Sequence, residues 1–481
     1  MIIGSFLFFL CLILVVGIFA AKAGKKTNAD YMLASRSIGP IPIALSAVST
    51  CNSGFMFIGM IGFTYVYGFS AIWLIFSWIL GDLFAWSIVH RPLREKSELL
   101  GTSTLSGFIS EHLKSSIVAK LSALFIFIFL SVYAAAQLTA GSKALFVLLG
   151  WPHAWGVLIG AVIVTIYSIS GGIRASIWTD VIQSILMIVS MGGLLIVAFY
   201  TIGGFAELGR QLYLIDPQLV SWFPIETSVG FPLYFAGWLA FGFGVLGQPH
   251  IMVRPMIIKD SSQLKKAKII YFTWYTLFNL GALGVGLTAR ILLPELETLD
   301  TELALPVLAT KLLPDLLIGG ILAGIFSATI STADSQILTC SAAISQDLFP
   351  KWKSKLSMSK ISTLLTISIV VFISLFGSKN VFVLVVFAWS SLAVVLGPLI
   401  ILKCLNFHVG TRTSLSMMLG SFFTVLLWTQ VFKLSSMVNE VLPGFVIAFL
   451  FFGVSCFLKK KNNQKKFCKE HQKINRVLEG C

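Results

Sequence analysis

Ser49-Thr50-Cys51-Asn52-Ser53-Gly54 places six small or polar residues in the middle of an apolar run over 39–66. A second run, over 228–253, is interrupted by Phe241-Gly242-Phe243-Gly244-Val245-Leu246-Gly247-Gln248-Pro249-His250. Gly and Pro break the helical hydrogen-bond ladder, and irregular backbone is tolerated at membrane depth only where it lines a cavity. Carbonyls freed there are natural ligands for a small hard cation. The two breaks lie five apolar segments apart, one on a segment read as running outward and the other inward. That pairing points to an inverted-repeat transporter with its site at the repeat interface. Close packing of Gly-rich helices is the other use of such residues.

Composition agrees. The chain has 481 residues, 57% hydrophobic and 11% charged, where a soluble domain carries about 25% charged residues. Apolar segments recur at 2–22, 39–66, 69–90, 117–148, 153–171, 176–202, 228–253, 265–292, 315–345, 360–378, 381–402, 412–432 and 441–458, each long enough to cross a bilayer. The reading is an all-α polytopic membrane protein of about thirteen transmembrane helices, with residues 1–458 as the membrane domain. Repeat one covers about 39–202 and repeat two about 228–402, with 2–22, 412–432 and 441–458 peripheral. External loops are expected at 204–224 and 295–313, the second with an interfacial helix over 303–312.

The net charge of +15 is a topology signal. About 29 of the 35 Lys and Arg fall on one side, as the positive-inside rule predicts. They include Lys22, Lys25, Lys26, Arg174, Arg254, Lys403 and the tail after Lys459, while Glu295, Glu297, Asp300 and Glu302 lie opposite. The N-terminus is therefore expected outside and the basic tail, 459–481, in the cytoplasm, where Lys459, Lys460 and Lys461 could meet anionic lipid. The first apolar run lacks a preceding basic stretch and reads as a retained anchor. The seven cysteines show no CxxC or metal-ligand spacing, so neither disulfides nor zinc are expected. No GxxxxGK[ST] or GxSxG occurs, nor a basic patch interleaved with aromatics, which argues against an ATPase, an enzyme and a nucleic-acid binder.

Segment 315–345 carries Ser327, Ser331, Thr332, Asp334 and Ser335. Ser331 lies 16 residues, roughly 24 Å at helical rise, from Asp315, near mid-bilayer. Ala328, Ser331, Thr332 and Ser335 fall on neighbouring faces of one helix, and neutral oxygens of this kind suit Na⁺. Asp334, a carboxylate at depth, needs a partner. Asp180 is read as the second acid, facing an inner cavity. Lys143 is the one intramembrane base, able to snorkel outward. Tyr133 and Gln137, one turn apart, and Phe241 and Gln248, framing the second break, are candidates for holding a solute.

Several stretches resemble the sodium:solute symporter family. They are Tyr31 to Pro40, Leu45 to Gly54, Gly171 to Gln183, Gly247 to Arg254 and Gly320 to Ser335, with Ala388-Trp389 and Gly397-Pro398. The resemblance implies a LeuT-like five-plus-five inverted repeat in a bacterial inner membrane. It also implies a central Na⁺ site formed by carbonyls of Ser49, Asn52 and Ala328 with the hydroxyls of Ser331 and Thr332. A second, inner site for Na⁺ or H⁺ would map to Asp180, Ser331, Asp334 and Ser335, and a solute site to Ser53, Tyr133, Gln137, Phe241, Val245 and Gln248. Cys51 stands where proline carriers of the family have Asp, and Phe241 and Val245 where they have Trp and Tyr. Proline is the first solute implied, followed by other small carboxylates or zwitterions, with Na⁺ as coupling ion, no further cofactor and no obligate protein partner. The rival readings are a proton-coupled carrier using Asp180 and Asp334, and a non-transporting membrane sensor.

Overall fold

Pro40 opens the first interrupted helix at its first turn, where a missing N–H costs nothing, and Asn52 ends it by leaving helical geometry (φ −79°, ψ 56°). The structure, a computed structural model, describes residues 1–478 except Lys26, His112, Lys114, 225–228 and Ser354, and their side chains except those of Tyr167 and 460–478. The side chains of the basic tail beyond Lys459, and Lys26, thus lie outside the described residues.

The helices in chain order are α1 (Ile2–Lys22), α2 (Asn28–Leu33), α3 (Pro40–Cys51), α4 (Gly54–Phe57), α5 (Gly59–Tyr67), α6 (Ile72–Phe84), α7 (His90–Leu99), α8 (Leu105–Ser110), α9 (Ile117–Leu149) and α10 (His153–Ile202). There follow α11 (Phe205–Ile215), α12 (Phe231–Phe243), α13 (Pro249–Ile257), α14 (Leu264–Leu292), α15 (Ala304–Leu312), α16 (Asp315–Ala342), α17 (Leu356–Phe376), α18 (Val381–Cys404), α19 (Thr411–Leu426) and α20 (Val441–Leu478). Ten helical stretches among the described residues are long and apolar enough to cross a membrane, and Pro40–Cys51, His153–Ile166 and Phe231–Gly247 are shorter apolar ones. Every apolar segment expected from the sequence is occupied by helix. The segment expected as a loop over 204–224 instead contains α11, whose Leu208 and Leu212 are buried. The expected interfacial helix is α15, packed against α14 and α16.

Each break has a local cause. Ser53 is extended (φ −59°, ψ −179°) and caps α4 by accepting from the Phe55 N–H. At the second break α12 passes through a 3₁₀ turn, Gly244–Gly247, to extended Gln248, and Pro249 restarts the helix. The long α10 turns at Gly172 (φ 55°, ψ −147°), a conformation that glycine accepts freely. A Cβ there would lie 2.5 Å from the Tyr31 carbonyl oxygen. The helices α6 and α12 cross in backbone contact: a Cβ on Gly242 would meet the Ser77 carbonyl oxygen at 2.1 Å. At the centre, α16 packs against α1, α9 and α10 and touches α3 and α4 on either side of the first break.

Candidate cation and solute site

The unwound end of α3 and the middle of α16 meet through their hydroxyls. Ser49 donates to the Ser331 hydroxyl at 2.9 Å, and Thr332 donates to the Thr50 carbonyl at 3.1 Å. The Thr50 and Ser335 hydroxyls are 3.4 Å apart. All are buried, as is Ala328 one turn before Thr332. The amide oxygen of Asn52, at the break, is buried with no hydrogen-bond partner. Among the residues expected for the central ion, Ser49, Ser331 and Thr332 are thus tied directly to this junction, Asn52 forms the break, and Ala328 lies on the same stretch of α16. The groups are neutral oxygens, the donor set that a hard monovalent cation takes.

Beside them lies a charged cluster. Ser331 and Ser46 each donate to the Asp180 carboxylate at 2.6 Å. Arg254 of α13 pairs with the same carboxylate at 3.3 Å, donates to Ser46 at 3.2 Å and to the His250 carbonyl at 2.7 Å, and also donates to Ser335. Arg254, counted from the sequence among basic-side loop charges, is fully buried. The expected inner group is regrouped accordingly. Asp180, Ser331 and Ser335 come together around Arg254, whereas Asp334 turns to Ser168 of α10, which donates to it. The two acids therefore do not form an uncompensated pair, because a guanidinium stands on one of them. Lys143 reaches the acidic segment expected outside, pairing at 2.6 Å with both Asp300 and Glu302, and Glu302 accepts from the N–H groups of Val381 and Phe382 at the start of α18.

The expected solute residues fall into two neighbouring groups. Tyr133 meets Ser53 at 3.3 Å, and Gln137 accepts from the Gly54 N–H at 2.8 Å, so α9 holds the first break. On the second break the Phe241 ring lies among Trp78, Trp238 and Trp389, with centroids 5.5–5.9 Å away. The Trp389 indole donates to the Phe241 carbonyl, and Gln248 donates to the Trp389 carbonyl at 3.1 Å. Val245 is buried beside them. His250 joins the groups by setting its ring edge-on to Tyr133 at 5.6 Å. One amide atom each of Gln137 and Gln248 and both ring nitrogens of His250 have no partner, so buried polar capacity converges between the two breaks. His250 appears in the sequence only as the end of the second break, next to Pro249, and Trp78 and Trp238 carry no sequence signal for this role.

A family model for the sodium:solute symporter family matches residues 31–420. The chain belongs to that family. Among curated relatives, the osmoregulated proline transporter of Bacillus subtilis is 29% identical over 450 residues, covering 91% of this chain and 90% of its own. The sodium/proline symporter of Staphylococcus aureus is 29% identical over 475 residues, covering 94% and 92%. Among solved structures, a Na⁺-coupled sialic acid symporter in a substrate-bound outward-open state superposes with a TM-score of 0.76 at 17% identity, covering 93% of this chain and 98% of the other. A nucleobase-cation-symport-1 family transporter in a closed conformation gives 0.57 at 16% identity. The fold is the LeuT-like one, and the family member described here is a multi-pass protein of the cell membrane that couples solute transport to sodium.

Proposed function

We propose that this symporter carries proline or a similar small amino acid into the cell with Na⁺ by alternating access. The observation that carries the reading is the contact of Ser49 and Thr50 with Ser331 and Thr332 at the helix break. Carbonyls of Ser49, Asn52 and Ala328 with the hydroxyls of Ser331 and Thr332 would replace the ion's water shell. Filling that shell from both α3 and α16 would favour the conformation in which they stay together, and so raise solute affinity. The solute would sit between the breaks, touched by Ser53, Tyr133, Gln137, Phe241, Val245 and Gln248. Proline follows from the relatives' activities.

The repeats would be 39–202 and 228–402, rocking around the loaded site, with the N-terminus outside and the basic face cytoplasmic. An ion reaching Asp180 on its way inward competes with Arg254 for one carboxylate. Inner-site occupancy and the Asp180–Arg254 pair would therefore exclude one another, and Asp334 would act apart from them through Ser168. Each Na⁺ crossing about 100 mV gains roughly 2.3 kcal/mol, or about fifty-fold solute accumulation.

The test is uptake of a panel of radiolabelled amino acids into proteoliposomes with and without an inward Na⁺ gradient. Na⁺-driven accumulation of proline is expected. Accumulation driven by a pH gradient without Na⁺ would favour a proton-coupled carrier, and no accumulation of any solute a sensor.

A further inference from the structure

Helix α6 runs through a π-helical turn, Ala85–Val89, into α7. Along it Trp78, Asp82, Trp86 and His90 recur every fourth residue and share one face. All four are buried, Asp82 at 3% and His90 at 2% exposure. Asp82 is ten residues into the helix from Ile72, about 15 Å along the axis, and so near mid-membrane. Its carboxylate accepts from the Tyr271 hydroxyl at 2.8 Å. Tyr271 stacks on Tyr275 at 5.2 Å, and the Tyr275 hydroxyl is 3.9 Å from the Cys51 sulfur at the first break. Trp86 lies against Tyr271 on one side (5.0 Å) and His90 on the other (4.6 Å). Both ring nitrogens of His90 are buried without a partner.

A carboxylate at this depth is costly unless its charge is neutralised. Among the described residues no Lys, Arg or His forms an ion pair with Asp82. The groups facing it are Tyr271 and Tyr275 from α14 and Cys51 from α3. From α12 the one ionisable side chain is Tyr234, near its outer end, and the turn Gly244–Gly247 has none. Below it on its own helix stand His90, then Arg91 and Arg94 paired with Glu95 and Glu98, and Lys96. Lys268 of α14 reaches Ser87 at the basic end, and Lys403 closes the inner end of α18. A metal cation wants a full shell of hard oxygens, and a thiol is a soft ligand that suits it poorly. A proton needs one oxygen.

We propose that Asp82 is a proton-binding site, separate from the Na⁺ junction on α16, held by Tyr271, with His90 the next titratable group on its helix toward the basic face. His90 is eight residues, about 12 Å, nearer that face. The turn between the two residues is of the wide kind that recurs at functional positions. Cys51 and Tyr275 connect the site to the helix break, so a proton bound at Asp82 is felt where the solute and Na⁺ bind.

Infrared difference spectroscopy on the full chain in lipid vesicles, titrated in pH without Na⁺ or solute, tests this. Its outcome is therefore independent of the transport reading above. A protonated-carboxyl C=O component is expected in the wild type. Asp82→Asn should remove it, Asp82→Glu should return it at a shifted frequency, and Asp180→Asn and Asp334→Asn should leave it in place. His90→Gln should keep the component but slow its response to a pH jump. If Asp82→Asn removes only a carboxylate band, or changes nothing while Asp82→Glu folds normally, the proposal is wrong.

Discussion

Arg254, just beyond the second helix break, and Asp180, on the second half of α10, form an ion pair of 3.3 Å with essentially no exposure of either side chain. The pair ties the helix that follows one break to α10 and, through Ser46 and Ser331, to α3, which leads into the other break, and to α16. Removing one partner leaves an uncompensated buried charge, a loss of about 3–5 kcal/mol. Arg254→Met alone and Asp180→Leu alone should each lower the thermal unfolding temperature sharply. The double variant should recover much of the loss. Additive losses in this double-mutant cycle would show that the pair is not a unit.

The turn in α10 predicts a contrast between glycines. Gly172→Ala must fit a Cβ against the Tyr31 backbone at φ 55°, and should cost more than about 1 kcal/mol. Gly192, with open space around its Cβ position, should be neutral or stabilised by up to about 1 kcal/mol when changed to Ala. Thermal unfolding of the two variants side by side checks this, and equal effects would remove the assigned role of Gly172.

Lys143 holds two acids of unequal burial. Glu302 has 6% of its side chain exposed and also binds the start of α18, while Asp300 has 44% exposed. Glu302→Gln should cost about 1–3 kcal/mol, because buried donors lose their charged acceptor. Asp300→Asn should cost less than about 1 kcal/mol, as exposed pairs do. The order of the two unfolding temperatures decides it.

At the edge of the membrane, burial pushes the Asp30 carboxyl up, but hydrogen bonds from Arg174 and Ser35 outweigh it and hold the group below its ordinary value. A depressed carboxyl contributes stability that is present above the unfolded-state value and lost as pH falls through the folded one. The stability difference between wild type and Asp30→Asn should therefore be full at neutral pH and shrink only below about pH 3.9, the unfolded carboxyl value. A difference constant down through acid pH would contradict the ion-pair account.

Backbone punctuation was legible from composition alone. Asn52 and Pro249 act through local geometry, so the two breaks appear where their residues do; the turn at Gly172 and the helix α11 in a segment read as loop were not marked this way. Side-chain partnership was not. Arg254 sits five residues before Lys259 and reads as part of a loop cluster until α13 folds it inward onto Asp180. Asp82 is one acid in a long apolar run, and only its four-residue spacing with Trp78, Trp86 and His90 could have marked it. Asp334 shares a helix with Ser331 and Ser335 but points toward Ser168, because Ser331 and Ser335, four residues apart, stack on one face while Asp334, next to Ser335, is turned about 100° away from it.

The central claim is that unwound backbone near Asn52 and two hydroxyls on α16 together hold Na⁺. Equilibrium binding of radiolabelled Na⁺ to the purified full-length chain tests it without reference to any solute. Ser331→Ala with Thr332→Ala should weaken binding by about tenfold or more, equivalent to about 1.4 kcal/mol, while the protein stays folded. Unchanged Na⁺ affinity in that folded double variant would contradict the account.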